Sequence, residues 1–127
     1  MAGFHLTIRT PSRCCYDGTA ERLIVRTTQG DVGILPGHAP YMGALGVGRL
    51  IVRQNGKSRS AAVMGGLIEV LPSEAVVLAG EFAWVEEIDP ARARAEAQRA
   101  AALQEQSRAA QDVLRYTRVC LELIAKK

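Results

Sequence analysis

Apolar and polar residues alternate strictly along Phe4-His5-Leu6-Thr7-Ile8-Arg9, which predicts a strand with one buried face. Leu23-Ile24-Val25-Arg26-Thr27 is β-branched and mostly apolar and predicts a second. Leu50-Ile51-Val52-Arg53 and Ser58–Met64 flank Gln54-Asn55-Gly56-Lys57. Asn55-Gly56 predicts a hairpin there, because both central positions of a type I′ turn need positive φ. Further apolar runs at Leu67–Leu71, Ala75–Ala79 and Phe82–Val85 are separated by Pro72-Ser73 and Gly80. Short strands between regularly spaced turn signals predict an antiparallel sandwich or barrel and argue against a parallel sheet with crossover helices.

The period changes at Asp89-Pro90, a carboxylate cap followed by a proline that needs no amide partner. Alanine dominates from Ala91 to Ala102, and neither glycine nor a second proline appears from Ala91 to Lys127. Gln104-Glu105-Gln106-Ser107 can form a bend. Beyond it Ala109, Val113, Tyr116, Cys120 and Leu123 recur at helical spacing, and Lys126-Lys127 suits the negative end of a helix dipole. The expectation is therefore an α+β chain, with an N-terminal antiparallel β-sandwich over 1–87 and a C-terminal two-helix α-hairpin over 88–127. A single bent helix is the alternative. An alanine face buries little apolar area, so the first helix is expected to dock weakly.

Composition narrows the class. The chain has 127 residues, 48% hydrophobic and 23% charged, which fits one full-sized domain or a small one with an appendage. No apolar run approaches the ~20 residues of a membrane span. Met1-Ala2-Gly3-Phe4-His5-Leu6 lacks the pattern of a secretory signal, so a cytosolic-side protein is expected. Cys14, Cys15 and Cys120, with His5 and His38, make no metal-ligand spacing and read as reduced thiols and isolated imidazoles. Up to Ile88 eight basic residues balance eight acidic ones; beyond it eight face five, so the net charge of +3 belongs to the tail. The basic residues there are interleaved with acids and alanines, and one aromatic, Tyr116, accompanies them, which argues against nucleic-acid binding.

Gly30-Asp31-Val32-Gly33-Ile34-Leu35-Pro36-Gly37-His38-Ala39-Pro40 is the densest unusual segment. No Lys-Ser/Thr and no helix follow it, so a phosphate loop is excluded. Gly46-Val47-Gly48 lacks the third glycine of a dinucleotide fingerprint. His38 has no evident nucleophile beside it and reads as a structural or contact histidine, and no catalytic constellation assembles.

Taken in order, Phe4-His5-Leu6, Gly30-Asp31-x-Gly33-Ile34-Leu35-Pro36-Gly37-His38-Ala39-Pro40, Gly48-Arg49-Leu50, Gly65-Gly66-x-x-Glu69-Val70 and Val77-Leu78-Ala79 resemble the epsilon subunits of F-type ATP synthases. The resemblance runs from Phe4 to about Ala100 and is weak over the second helix.

That resemblance implies a non-catalytic subunit of the central stalk, a peripheral protein at the cytoplasmic face of the cell membrane. It would be held there by the gamma subunit and the c-ring, and would couple proton-driven rotation to ATP synthesis. It implies that Gly30–Pro40 is a loop facing the c-ring, with Asp31 and His38 as polar contacts. It also implies a hairpin that can leave the sandwich and restrain hydrolysis, with Arg108, Arg115 and Arg118 meeting the alpha/beta catalytic head. Ile88-Asp89-x-x-Arg92-Ala93 resembles the motif with which some bacterial relatives bind regulatory ATP. The candidate site is Ile88, Asp89, Arg92, Ala93 and Arg99, with no metal and no other cofactor. Against it, Asp89 is also a cap, and Arg92, Glu96 and Arg99 make a salt-bridge row. A free nucleotide-sensing or nucleic-acid-binding β-barrel with a helical tail is the alternative function, and an enzyme acting through His38 ranks last.

Overall fold

A computed structural model describes residues 3–102 and 108–125, with side chains over 3–99 and 111–125. Seven strands are followed by two helices: β1 (Phe4–Arg9), β2 (Cys14–Ala20), β3 (Arg22–Thr27), β4 (Gly30–Ile34), β5 (Tyr41–Gln54), β6 (Lys57–Leu71), β7 (Glu74–Trp84), α1 (Pro90–Ala102) and α2 (Arg108–Ala125). The expected bend at Gln104–Ser107, the side chain of Arg108 and the Lys126-Lys127 terminus lie outside the described residues.

The strands hydrogen-bond in the order β2-β1-β7-β6-β5-β3-β4. Neighbours run antiparallel except β1 and β7, which pair in parallel from His5↔Glu74 to Arg9↔Leu78. β5 and β6, at 14 and 15 residues, are far longer than an ordinary strand of about six, so the sheet curls over itself. One core fills the fold, joining Phe4, Leu6 and Ile8 of β1 to Leu23 and Val25 of β3 and to Leu50, Val63, Val77 and Trp84 of the long strands. That is a sandwich made from one continuous ladder.

Glycines let the long strands turn the corner. Leu67–Leu71 continues the strand begun at Lys57 instead of starting a new one, and Ala75–Ala79 and Phe82–Trp84 likewise form one strand through Gly80. At Gly66 the backbone has φ +116°, and an added Cβ would stand 1.9 Å from the Leu78 carbonyl oxygen, so the two paired strands approach there at a separation only glycine allows. Asn55 and Gly56, at φ 53° and 74°, make the expected hairpin turn. The periodicity does not reveal β2 or β4. Gly30–Ile34 is an edge strand on β3, so the loop expected over Gly30–Pro40 shortens to Leu35–Pro40, and Asp31 belongs to a ladder.

The hairpin starts where expected. Asp89 Oδ1 accepts from the amides of Ala91 at 3.0 Å and Arg92 at 3.4 Å, with Pro90 in the first helical position. Of the described α1 side chains only Ala93 is buried, and it meets Ala62 of β6 and Cys120 of α2 in a small satellite cluster. α2 lies against β5 and β6 through Tyr116, Cys120 and Leu123, with Thr117 buried beneath it. The Thr117 hydroxyl donates back to the carbonyls of Val113 and Leu114, which satisfies it inside the interface. Val113, expected on the packed face, is exposed.

Candidate functional site

The root of the hairpin is an ionic and aromatic cluster. Arg13 donates from Nη1 and Nη2 to the two carboxylate oxygens of Glu87, both at 2.8 Å. The Trp84 amide donates to the same Glu87 at 2.9 Å. The Arg13 contact chiefly holds the Glu87 carboxyl down at about 2. Arg59 lies 3.8 Å over the Trp84 ring and donates from Nη2 to Glu86 at 2.9 Å. Trp84 Nε1 donates to the Cys15 carbonyl. The turn Val85–Glu87 is thereby tied to β2 and β6, and the helices leave from a fixed root.

Beside that root, a cleft of about 400 Å³ separates the hairpin from β6 and β7. Ile88, Asp89, Arg92 and Ala93 all line it, with Glu81, Glu96, Tyr116 and Cys120. Arg99 does not; it is an exposed residue of α1. Arg92 Nε donates to Glu96 at 3.1 Å, so the salt-bridge reading of that row holds for its first pair. Burial pushes the Cys120 thiol up to about 11 and raises the Tyr116 phenol as well, so both are neutral at pH 7. Glu81, Glu87, Asp89 and Glu96 outnumber the single cation Arg92 in this lining. The cleft has the volume and the acceptors to take the base and sugar of a nucleotide. For a triphosphate its lining offers one arginine, Arg92, whose Nε is given to Glu96.

Arg115 and Arg118 face elsewhere. They line a second groove, of about 480 Å³, on the opposite flank of α2, together with Arg26, Gly48 and Arg49 of the sheet. Asp31 lies next to that groove, accepting from Arg26 Nε at 2.7 Å. His38 has different partners: its Nδ1 is 2.6 Å from the Ala39 carbonyl, and its ring stands edge-on to Tyr41. The structure does not bring Asp31 and His38 into one cluster.

One surface escaped the sequence reading. Met42, Leu67, Leu71 and Leu78 are 65%, 51%, 40% and 49% exposed, although the three leucines sit in apolar runs that read as strand. Register puts Met42, Glu69 and Val76 in one cross-strand row and Ala44, Leu67 and Leu78 in the next, so these side chains share the outer face of β5, β6 and β7. Leu35, 56% exposed, leads the adjoining loop, which the Gly37 amide ties to the Pro72 carbonyl. An apolar strip of this kind on a domain with a complete core marks a contact surface.

A sandwich with an apolar strip outside and a helical arm fixed at its root defines an assembly subunit, built to be held by other chains. Comparison with known proteins agrees. The family described as ATP synthase, Delta/Epsilon chain, beta-sandwich domain matches residues 3–85. The ATP synthase epsilon chain of Ruminococcus albus is 44% identical over 94 residues, covering 73% of this chain and 70% of its own length. That of Caldicellulosiruptor saccharolyticus is 39% identical over 100 residues, covering 79% and 73%. A chain in the Euglena gracilis mitochondrial ATP synthase, OSCP/F1/c-ring in rotational state 1, shares the fold with a TM-score of 0.81 at 23% identity, over 94% of this chain and 79% of that one. The chain belongs to the ATP synthase epsilon-chain family, and it is a non-catalytic subunit of that complex.

Proposed function

We propose that this chain is the foot of the ATP synthase rotor, coupling proton-driven rotation of the c-ring and gamma subunit to ATP synthesis at the cytoplasmic face of the membrane. The observation that carries this reading is the apolar strip of Met42, Leu67, Leu71 and Leu78. Four large apolar side chains in water are costly unless another chain covers them, and gamma is the occupant to which the reading commits. The Leu35–Pro40 loop, rigid through its prolines and carrying His38, is assigned to the polar loops of the c-ring. Asp31, exposed and giving only Oδ1 to Arg26, keeps its other carboxylate oxygen for that contact. No described helix is long and apolar enough to cross a membrane.

The helical hairpin is assigned the regulatory role. α2 has 18 residues, about 27 Å at 1.5 Å per residue, a reach suited to the alpha/beta head once the hairpin is released. Arg108, Arg115 and Arg118 would then meet acidic groups there. ATP at Ile88, Asp89, Arg92 and Ala93 would hold the hairpin folded, weakly, given the acids around it; Arg99 joins only if the phosphates extend along α1.

The test is association of the full chain with its gamma subunit. Met42→Glu and Leu78→Glu are each expected to weaken it about 30-fold, the equivalent of one anchor worth about 2 kcal/mol. Unchanged affinity in both variants overturns the reading.

A further inference from the structure

The groove on the outer flank of α2 carries positive charge that the folded chain compensates only in part. Arg115 and Arg118 enter it from α2, Arg26 from β3 and Arg49 from β5, and Glu122 is the one acid in its lining. Arg26 is engaged by Asp31, whose carboxyl is held below its ordinary value first by that hydrogen bond, with the charge of Arg49 adding to the effect. Asp112 stands 3.9 Å from Arg115, at the limit of an ion pair. Among the described residues Arg49 and Arg118 have no ion-pair partner.

The backbone builds this arrangement. The β3–β5 ladder slips between Val25 and Thr27, so Arg26 sits at a bulge. A Cβ at position 48 would come within 2.5 Å of Arg26 Cβ, so glycine there gives the Arg26 stem its place on the groove floor. Docking α2 then brings two helix arginines against two sheet arginines. The four arginines are exposed, so their mutual repulsion is that of like charges gathered at a wetted surface and is screened by salt. A multivalent oxyanion between them turns that repulsion into charge-assisted hydrogen bonds, for which guanidinium groups have the matching fork geometry.

We propose that this groove is a phosphate-oxyanion site distinct from the Ile88–Ala93 cleft, and that a phosphate group seated among Arg26, Arg49, Arg115 and Arg118 clamps α2 onto the sheet. The ligand is inorganic phosphate or pyrophosphate, or the phosphate end of a nucleotide. The site does not depend on how the chain contacts gamma or the c-ring, because all four arginines belong to this chain.

Hydrogen exchange of the α2 amides from Thr117 to Leu123 in the full chain tests it. Pyrophosphate, inorganic phosphate and ATP are titrated separately, with sodium chloride holding ionic strength constant. At about ten times the dissociation constant, pyrophosphate is expected to slow exchange about tenfold. In R49Q/R118Q the ligand-free exchange is expected to slow, since the repulsion is gone, and the response to pyrophosphate to vanish. R92Q is expected to keep that response. Protection by ATP alone that R92Q removes would assign phosphate binding to the other cleft and overturn the proposal. So would equal protection by sodium chloride, a response surviving in R49Q/R118Q, or faster ligand-free exchange in that variant.

Discussion

Arg13 and Glu87 meet through two parallel hydrogen bonds of 2.8 Å across 74 positions of chain, fastening the β1–β2 loop to the root of the helical hairpin. Glu87 is folded with its carboxyl at about 2, against an ordinary 4.5, so the pair stabilises the fold above pH 4.5 and that contribution is lost as pH falls towards 2. The two side chains are 44% and 37% exposed, and water screens them. Glu87→Gln, which keeps an acceptor for the Trp84 amide, is expected to cost ~0.5–1 kcal/mol at pH 7. The difference should shrink below pH 4.5 and be mostly gone by pH 2. Urea unfolding of both proteins at pH 7, 4 and 2 measures it; a pH-independent difference would show that packing, not charge, is lost.

Among the described residues the core of the sandwich contains none from either helix, and the helices add the cluster of Ala62, Ala93 and Cys120 with Tyr116, Val119, Leu121 and Leu123 packed against it. Removing Pro90–Lys127 is therefore expected to leave a cooperative sandwich that still binds gamma, losing roughly 1 kcal/mol for the exposed Ala62 surroundings. If the hairpin restrains hydrolysis, the reconstituted enzyme should also hydrolyse ATP faster with the truncated chain. Calorimetry checks the first expectation, and a broad, non-cooperative melt would refute domain independence.

Much of the architecture is legible in local chemistry. The alternation of Phe4–Arg9 places Phe4, Leu6 and Ile8 in the core, Asn55-Gly56 makes its turn, and Asp89-Pro90 starts its helix. Each depends on interactions within a few residues. β2 stays hidden because Cys14–Ala20 is half polar and contains Gly18, so its strand character comes from pairing with β1. The apolar strip stays hidden for a different reason. Leu67-Ile68-Glu69-Val70-Leu71 has leucines on one face and buried Ile68 and Val70 on the other, and composition alone cannot tell a leucine covered by its own core from one awaiting a partner. The two arginine environments of α2 also needed the fold, since Arg115 and Tyr116 are neighbours in sequence but line different grooves.

Two adjacent glycines separate conformational strain from collision. Both Gly65 and Gly66 have positive φ, 71° and 116°, but only at Gly66 does an added Cβ meet backbone, at 1.9 Å from the Leu78 carbonyl oxygen. Gly65→Ala is expected to cost about 1–2 kcal/mol from the left-handed conformation alone. Gly66→Ala should cost more than about 3 kcal/mol, because the paired strands β6 and β7 must separate there. Denaturant midpoints of the two variants give the comparison, and equal costs would mean that the close approach relaxes.

If ATP occupies the Ile88–Ala93 cleft as proposed, Arg92 and Glu96 set how its phosphates are received. Their hydrogen bond at 3.1 Å uses Arg92 Nε and partly neutralises the one cation in the cleft, and Glu81 and Asp89 add further negative charge. Glu96→Gln removes one acid and frees Arg92, so ATP affinity is expected to rise about tenfold, the effect of roughly 1.4 kcal/mol less repulsion on the phosphates. Arg92→Gln should abolish binding in that cleft, while Arg99→Gln, outside the lining, should change it less than twofold, within the effect of a distant exposed charge. Calorimetric titration of the full chain with ATP distinguishes these cases. Should Glu96→Gln leave the affinity unchanged, the phosphates lie away from Arg92, and the motif would act here through its cap and its ion pair alone.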